Sequence, residues 1–195
     1  MTVMIKNSLA RFNTDYRKRF FNYLIAMVII WVITFMIVKI SGHENQILSL
    51  LKNTIGKSAG NGQLALFWHN FSSSLLIIIL GIIPIPLYYL FIIMNAASVG
   101  MTLSLVNNPI PMFLAGILPH GLFEIPGQLM SVAISARLVW FMINKYFRHK
   151  QTNVTLKTLI TESAIDTVVY VLPLLFIASI IETYITPILI NMISK

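Results

Sequence analysis

The stretch GILPHGLFEIPGQL, residues 116–129, decides how this chain folds. It sits inside an apolar run at 112–143, whose 32 residues are too many for one straight bilayer crossing. Pro119 and Gly121 interrupt that run early, and Pro126 follows one turn after Glu124. Proline lacks the amide hydrogen and clashes with the carbonyl one turn back. The expectation is therefore a re-entrant half-helix over 112–121, a bend at PHG, and a crossing helix over 122–143. Broken backbone at membrane depth is tolerated only where protein or a wet cavity satisfies it.

Composition sets the solvent. Of 195 residues, 57% are hydrophobic and only 10% are charged, with a mean hydropathy of +0.81. A soluble domain carries about a quarter charged residues, so much of this surface must face lipid. There is no cysteine, hence no disulfide and no thiolate metal site. The net charge of +8 flanks apolar runs and forms no long solvated patch, which argues for juxtamembrane anchoring and against nucleic acid.

Outward from the central stretch, the other elements follow. Residues 1–20 place Ile5, Leu9, Phe12, Tyr16 and Phe20 at helical spacing, with Lys6, Arg11, Arg17 and Lys18 largely off that stripe, as in an interfacial amphipathic helix. Spans are expected at 21–38, 64–83, 87–106, 122–143 and 164–185. The pair Pro84 and Pro86 divides the run between 64 and 106 into a hairpin. In the polar connection at 39–63, Ile47, Leu48, Leu51 and Ile55 share one helical face. No internal repeat is evident. Lys6, Arg11, Arg17, Lys18 and Arg19 precede the first span, and Lys145, Arg148, Lys150 and Lys157 precede the last. The positive-inside rule puts both groups in the cytoplasm, which five crossings plus one re-entrant half-helix satisfy. The fold class is an all-α integral membrane protein, one membrane domain over 1–195 with a cytoplasmic N-terminus.

Charges in such spans cost a few kcal/mol each and usually have partners. His120 and Glu124, four residues apart, share one helix face. Asn95, Arg137 and Glu182 are expected to complete an intramembrane polar cluster with them, and Asn70 is a weaker candidate. Two readings stand: a pair that pins a kinked helix to its neighbours, or a working site for an ion, proton or polar ligand. Ala96 and Gly100 have the small-x-x-x-small spacing of close helix packing. The pattern His-x-x-x-Glu lacks the second histidine of the zinc-hydrolase signature His-Glu-x-x-His, so neither metal nor cofactor is expected. No phosphate-binding loop, dinucleotide fingerprint or serine-triad context is present, and no enzyme activity is expected.

LPHGLFEIP, residues 118–126, resembles the Pro-His-Gly-x-x-Glu-x-Pro signature of the stage II sporulation protein M (SpoIIM) family. NAASVG, with Asn95 and Gly100, resembles the family's Asn-Gly-x-x-x-Gly segment, with Ala96 where the family has glycine. ASIIETYITP, with Ala178, Glu182 and Pro187, resembles its late Ala-x-x-x-Glu-x-x-x-x-Pro element. The resemblance spans about residues 64–190. It implies a small polytopic protein of the bacterial plasma membrane that works as a non-enzymatic subunit of a multiprotein machine. The sporulation member acts with cell-wall hydrolases. Small relatives accompany circular-bacteriocin systems, which implies membrane-protein partners, an ATP-binding protein and an apolar peptide to be matured, exported or resisted. The interfacial helix and re-entrant hairpin are similar to membrane subunits of type-2 ABC exporters. Two alternatives follow from the polar cluster: a permease-like subunit with an intramembrane His–Glu site, and an intramembrane enzyme.

Overall fold

Long apolar runs with few charges fold as helix because lipid offers no partner to a free backbone amide or carbonyl. The computed structural model describes residues 2–42, 62–149 and 154–193. Within them lie five helical rods: α1 (Val3–Ser41), α2 (Gln63–Leu80), α3 (Tyr88–Ser104), α4 (Pro109–Phe147) and α5 (Leu156–Ile193). All but α3 are long and apolar enough to cross a membrane, and α3 is a shorter apolar helix. The face expected from Ile47, Leu48, Leu51 and Ile55 lies outside the described residues.

The expected break in the central stretch is absent. α4 runs unbroken through Pro119, His120 and Gly121, so 112–121 is no re-entrant half-helix. The physical reason is a wide π turn over Phe113–Ile117. The amide of Leu118 donates five residues back, to Phe113, instead of four. That opens the turn where the ring of Pro119 would otherwise strike a carbonyl. The device recurs in α5. Thr167–Val171 precedes Pro173, with Leu172 donating to Thr167; Ile181–Ile185 precedes Pro187, with Thr186 donating to Ile181. Pro126 sits in regular α-helix. Pro119→Ala is accordingly expected to keep the fold and shift stability by no more than about 1 kcal/mol. A chain reversal at this point would not tolerate the change, and thermal unfolding of the detergent-solubilised protein distinguishes the two.

Residues 1–20 and 21–38 likewise form no separate elements, because α1 is continuous and carries only a wide turn at Phe12–Tyr16. That turn adds one residue to the helical count and brings Tyr16 onto the face of Ser8 and Arg11. The expected apolar stripe therefore splits. Ile5 and Leu9 face outward, Phe12 and Phe20 pack on the core, and Tyr16 is fully buried. Lys6, Arg17 and Lys18 are exposed, while Arg11 turns inward. Further along α1, Ile25, Val28, Ile29, Val32, Ile33 and Ile37 form an exposed apolar face.

The hairpin is where the prolines place it. α2 ends at Leu80, Pro84 and Pro86 take the connection, and α3 begins at Tyr88. Gly81 is required there: a Cβ would lie 2.9 Å from the Ser135 carbonyl of α4. Along α3, Tyr88, Ile92, Ala96, Gly100 and Ser104 are buried at strict four-residue spacing. This stripe meets α1 in the most extensive helix contact of the fold. At its centre a Cβ on Gly100 would lie 2.6 Å from the Trp31 carbonyl and 2.9 Å from Thr34 Cβ. The close packing expected from Ala96 and Gly100 is thus present.

α4 is the axis of the bundle. One core joins its Met130, Ala133, Ile134 and Leu138 to Tyr16 of α1, Ile78 of α2 and Leu175 of α5. A second joins its Leu129, Val132, Ala136 and Val139 to α1, α2 and α3. α5 starts at a Thr155 cap, whose hydroxyl accepts from the Thr158 amide at 3.1 Å, and returns alongside α4.

Candidate functional site

Two polar clusters lie at different levels of α4. The first grows from a ladder of four-residue steps, His120, Glu124 and Gln128, which share one face just after the wide turn. Gln128 Nε2 donates to Glu124 Oε1 at 2.7 Å. His120 Nε2 stands 3.9 Å from Glu124 Oε2, and its Nδ1 lies 3.3 Å from the hydroxyl of Thr186 on α5. Glu182, in the wide turn Ile181–Ile185, approaches from the same side as Thr186. Ligand atoms of His120, Glu124 and Glu182 all lie within 4.8 Å of one another.

These three groups line a cavity of about 320 Å³ between α1, α3, α4 and α5, together with Asn95, Ser98 and Gln128. A second cavity of about 530 Å³ shares Asn95, Ser98 and Gln128 and continues to His69, Asn70 and Ser73 of α2. Asn95 donates through Nδ2 to the Phe91 carbonyl at 2.8 Å. No lysine or arginine lines either cavity among the described residues.

Arg137 does not join this cluster, contrary to expectation. It stands 13 residues after Glu124, about 20 Å further along the helix. It belongs to the second cluster, which ties α1 to α4 and α5. Its Nε meets Asp15 Oδ2 at 2.9 Å, and its Nη2 meets Glu162 Oε2 at 2.6 Å. Its guanidinium also lies 5.9 Å over the Tyr16 ring. Asp166, fully buried, accepts from four donors: Arg11 Nε at 2.9 Å, Arg11 Nη2 at 2.5 Å, Ser8 Oγ at 2.6 Å and Tyr16 hydroxyl at 2.7 Å. Three acids thus face two guanidiniums, with bidentate geometry at Asp166.

Of the expected cluster, then, His120, Glu124, Asn95 and Glu182 come together and Arg137 does not. Gln128 and Thr186 were not singled out from the sequence. Each stands four residues after a member of the site, Glu124 or Glu182, and that spacing was the available signal. Ser8 and Asp15 carried no such mark.

An all-helical membrane protein with a polar cavity inside its bundle is the class these features define. The chain belongs to the SpoIIM family, stage II sporulation protein M, whose family model matches residues 20–187. The cavity residues fall inside that match, whereas Ser8, Arg11, Asp15 and Tyr16 lie before it. An uncharacterized protein of Methanocaldococcus jannaschii is 33% identical over 106 residues, covering 51% of this chain and 56% of its own length. The chain thus spans just over half of that relative. No solved structure matches.

Proposed function

We propose that this protein is a membrane-embedded, non-enzymatic subunit of a multiprotein machine and that it contributes a permease-like polar binding site within the bundle. The observation that carries this reading is the meeting of Glu182 with His120 and Glu124 in a cavity that shares Asn95, Ser98 and Gln128 with a second polar-lined one. A pair serving only to pin helices would be expected to close its hydrogen bonds. Here the His120–Glu124 separation of 3.9 Å is too long for one. Glu182 accepts no hydrogen bond among the described residues. Polar groups held open to a cavity at membrane depth fit ligand handling better than helix pinning.

Four of the rods are long and apolar enough to cross; with the 17-residue α3 crossing as well, the chain would pass the bilayer five times in alternation. Exposed Lys6, Arg17 and Lys18, with Lys145, Arg148 and Lys157, then favour a cytoplasmic N-terminus and a cytoplasmic α4–α5 loop. The family resemblance favours the plasma membrane of a bacterium, an ATP-binding partner, and an apolar peptide or the cell envelope as what the machine acts on.

The test is complementation. In a strain lacking this chain, wild type restores the lost phenotype. His120→Gln combined with Glu124→Gln is expected to fail at equal membrane abundance, while the same partners still copurify from native membranes. Full complementation by that double variant would remove the binding-site reading and leave only a scaffold.

A further inference from the structure

We propose that His120, Glu124 and Glu182 form a binding site for a divalent transition-metal cation. The inference rests on the reading of this cavity as a binding site and names its ligand.

Three observations point the same way. The first is the donor set. One imidazole nitrogen and two carboxylates, from two helices, converge to within 4.8 Å. Imidazole suits zinc, iron, copper and nickel, and carboxylates are compatible with the same ions in mixed sets. A tetrahedral site with bonds near 2.1 Å separates its donors by about 3.4 Å. The His120–Glu124 distance is 3.9 Å and all three donors lie within 4.8 Å of one another, so side-chain movements on the order of 1 Å would complete the geometry.

The second is the outer shell. Thr186 lies against His120 Nδ1, which leaves Nε2 as the ligand nitrogen on the side of Glu124. Gln128 holds Glu124 Oε1, which leaves Oε2 turned toward the histidine. Metal-binding histidines and carboxylates are oriented by such contacts on their far atoms.

The third is charge. The acids of the second cluster face guanidiniums at short range. Glu124 and Glu182 share a cavity that no lysine or arginine lines among the described residues. His69 and His120 are the basic side chains near these acids, and two partly buried carboxylates with no permanent cation beside them among the described residues are costly at membrane depth. A dication balances them with a neutral histidine, and the cavity leaves room for water or a further ligand in the remaining position.

The test uses the full chain in lipid nanodiscs, stripped with chelator and titrated with Zn²⁺, and with Co²⁺ as a spectroscopic probe. We expect one equivalent bound, with a visible Co²⁺ spectrum and a rise in unfolding temperature. Glu182→Gln should weaken Zn²⁺ binding by at least about 100-fold, the top of the range for outer-shell contacts. Thr186→Val, which leaves every ligand in place, should weaken it by about 10-fold. Absence of saturable Zn²⁺ or Co²⁺ binding by the folded wild type overturns the proposal, as does affinity unchanged in both variants. If the metal fails to bind while the His120/Glu124 double variant still fails to complement, the metal assignment falls and the binding-site reading stands. If the metal binds and that variant complements, the site is confirmed as a metal site and the functional reading falls instead.

Discussion

Asp166→Ala is expected to release the N-terminal part of α1 and to cost about 3–5 kcal/mol, the loss typical of removing one partner from a buried ion pair. Asp166 is fully buried and accepts from Arg11, Ser8 and Tyr16 at once. Its removal leaves Tyr16 and Ser8 without their acceptor, and leaves Arg11 with Glu162 at 4.0 Å. Thermal unfolding of the full chain reads the stability. Trypsin reads the docking, because Arg11 is held inside wild type and its peptide bond should become a cleavage site once the rod lifts. Replacing both ends of the interaction, Arg11→Met with Asp166→Leu, should cost less than Asp166→Ala alone, since no charge is then left unpaired. Equal losses in the single and double variants would show that packing, and not the ion pair, holds the rod in place.

The second large effect is expected at Gly100. Gly100→Ala should cost about 1–3 kcal/mol, and Gly100→Leu more than about 3 kcal/mol, through overpacking at the α1–α3 contact. The nearest obstacle is a main-chain carbonyl, that of Trp31 at 2.6 Å from the added Cβ. Trimming the neighbouring side chain with Thr34→Ala is therefore expected not to rescue the leucine variant. A full rescue would mean that side-chain crowding sets the limit. Unfolding temperature and monodispersity on size exclusion are the measurements.

What could be read beforehand divides along physical lines. The α2–α3 hairpin was legible because two prolines one residue apart stop any helix, and the spans expected at 64–83 and 87–106 differ from Gln63–Leu80 and Tyr88–Ser104 by no more than three residues at either end. The bend at Pro119 was misread because length arithmetic assumes four-residue hydrogen bonding throughout. A wide turn with a five-residue bond from Leu118 to Phe113 accommodates the proline, and nothing in the residue types FLAGI marks such a turn. The same limit hid the continuity of α1 across Phe12–Tyr16 and the inward turn of Tyr16. In the site, the His120–Glu124 face followed from spacing alone. The approach of Glu182, 58 positions after Glu124, depends on how α5 returns beside α4, which local pattern does not encode. Arg137 was grouped with His120 because both are polar in apolar surroundings; the rise per residue along one helix was enough to separate them.

One feature of α4 bears on how the cavity responds to voltage. Beyond Gln128, the eight residues 129–136 are sealed on every side, each at most 2% exposed. They occupy about 12 Å of the axis between the cavity and the Arg137 network. An electric potential falls most steeply where water is excluded, so with the bundle set across a bilayer this dry septum would take a large share of the membrane voltage. A charge that enters the cavity from its own side without crossing the septum moves through little of the roughly 2.3 kcal/mol per 100 mV that a full crossing entails. Occupancy of the site is therefore expected to follow concentration far more than membrane potential.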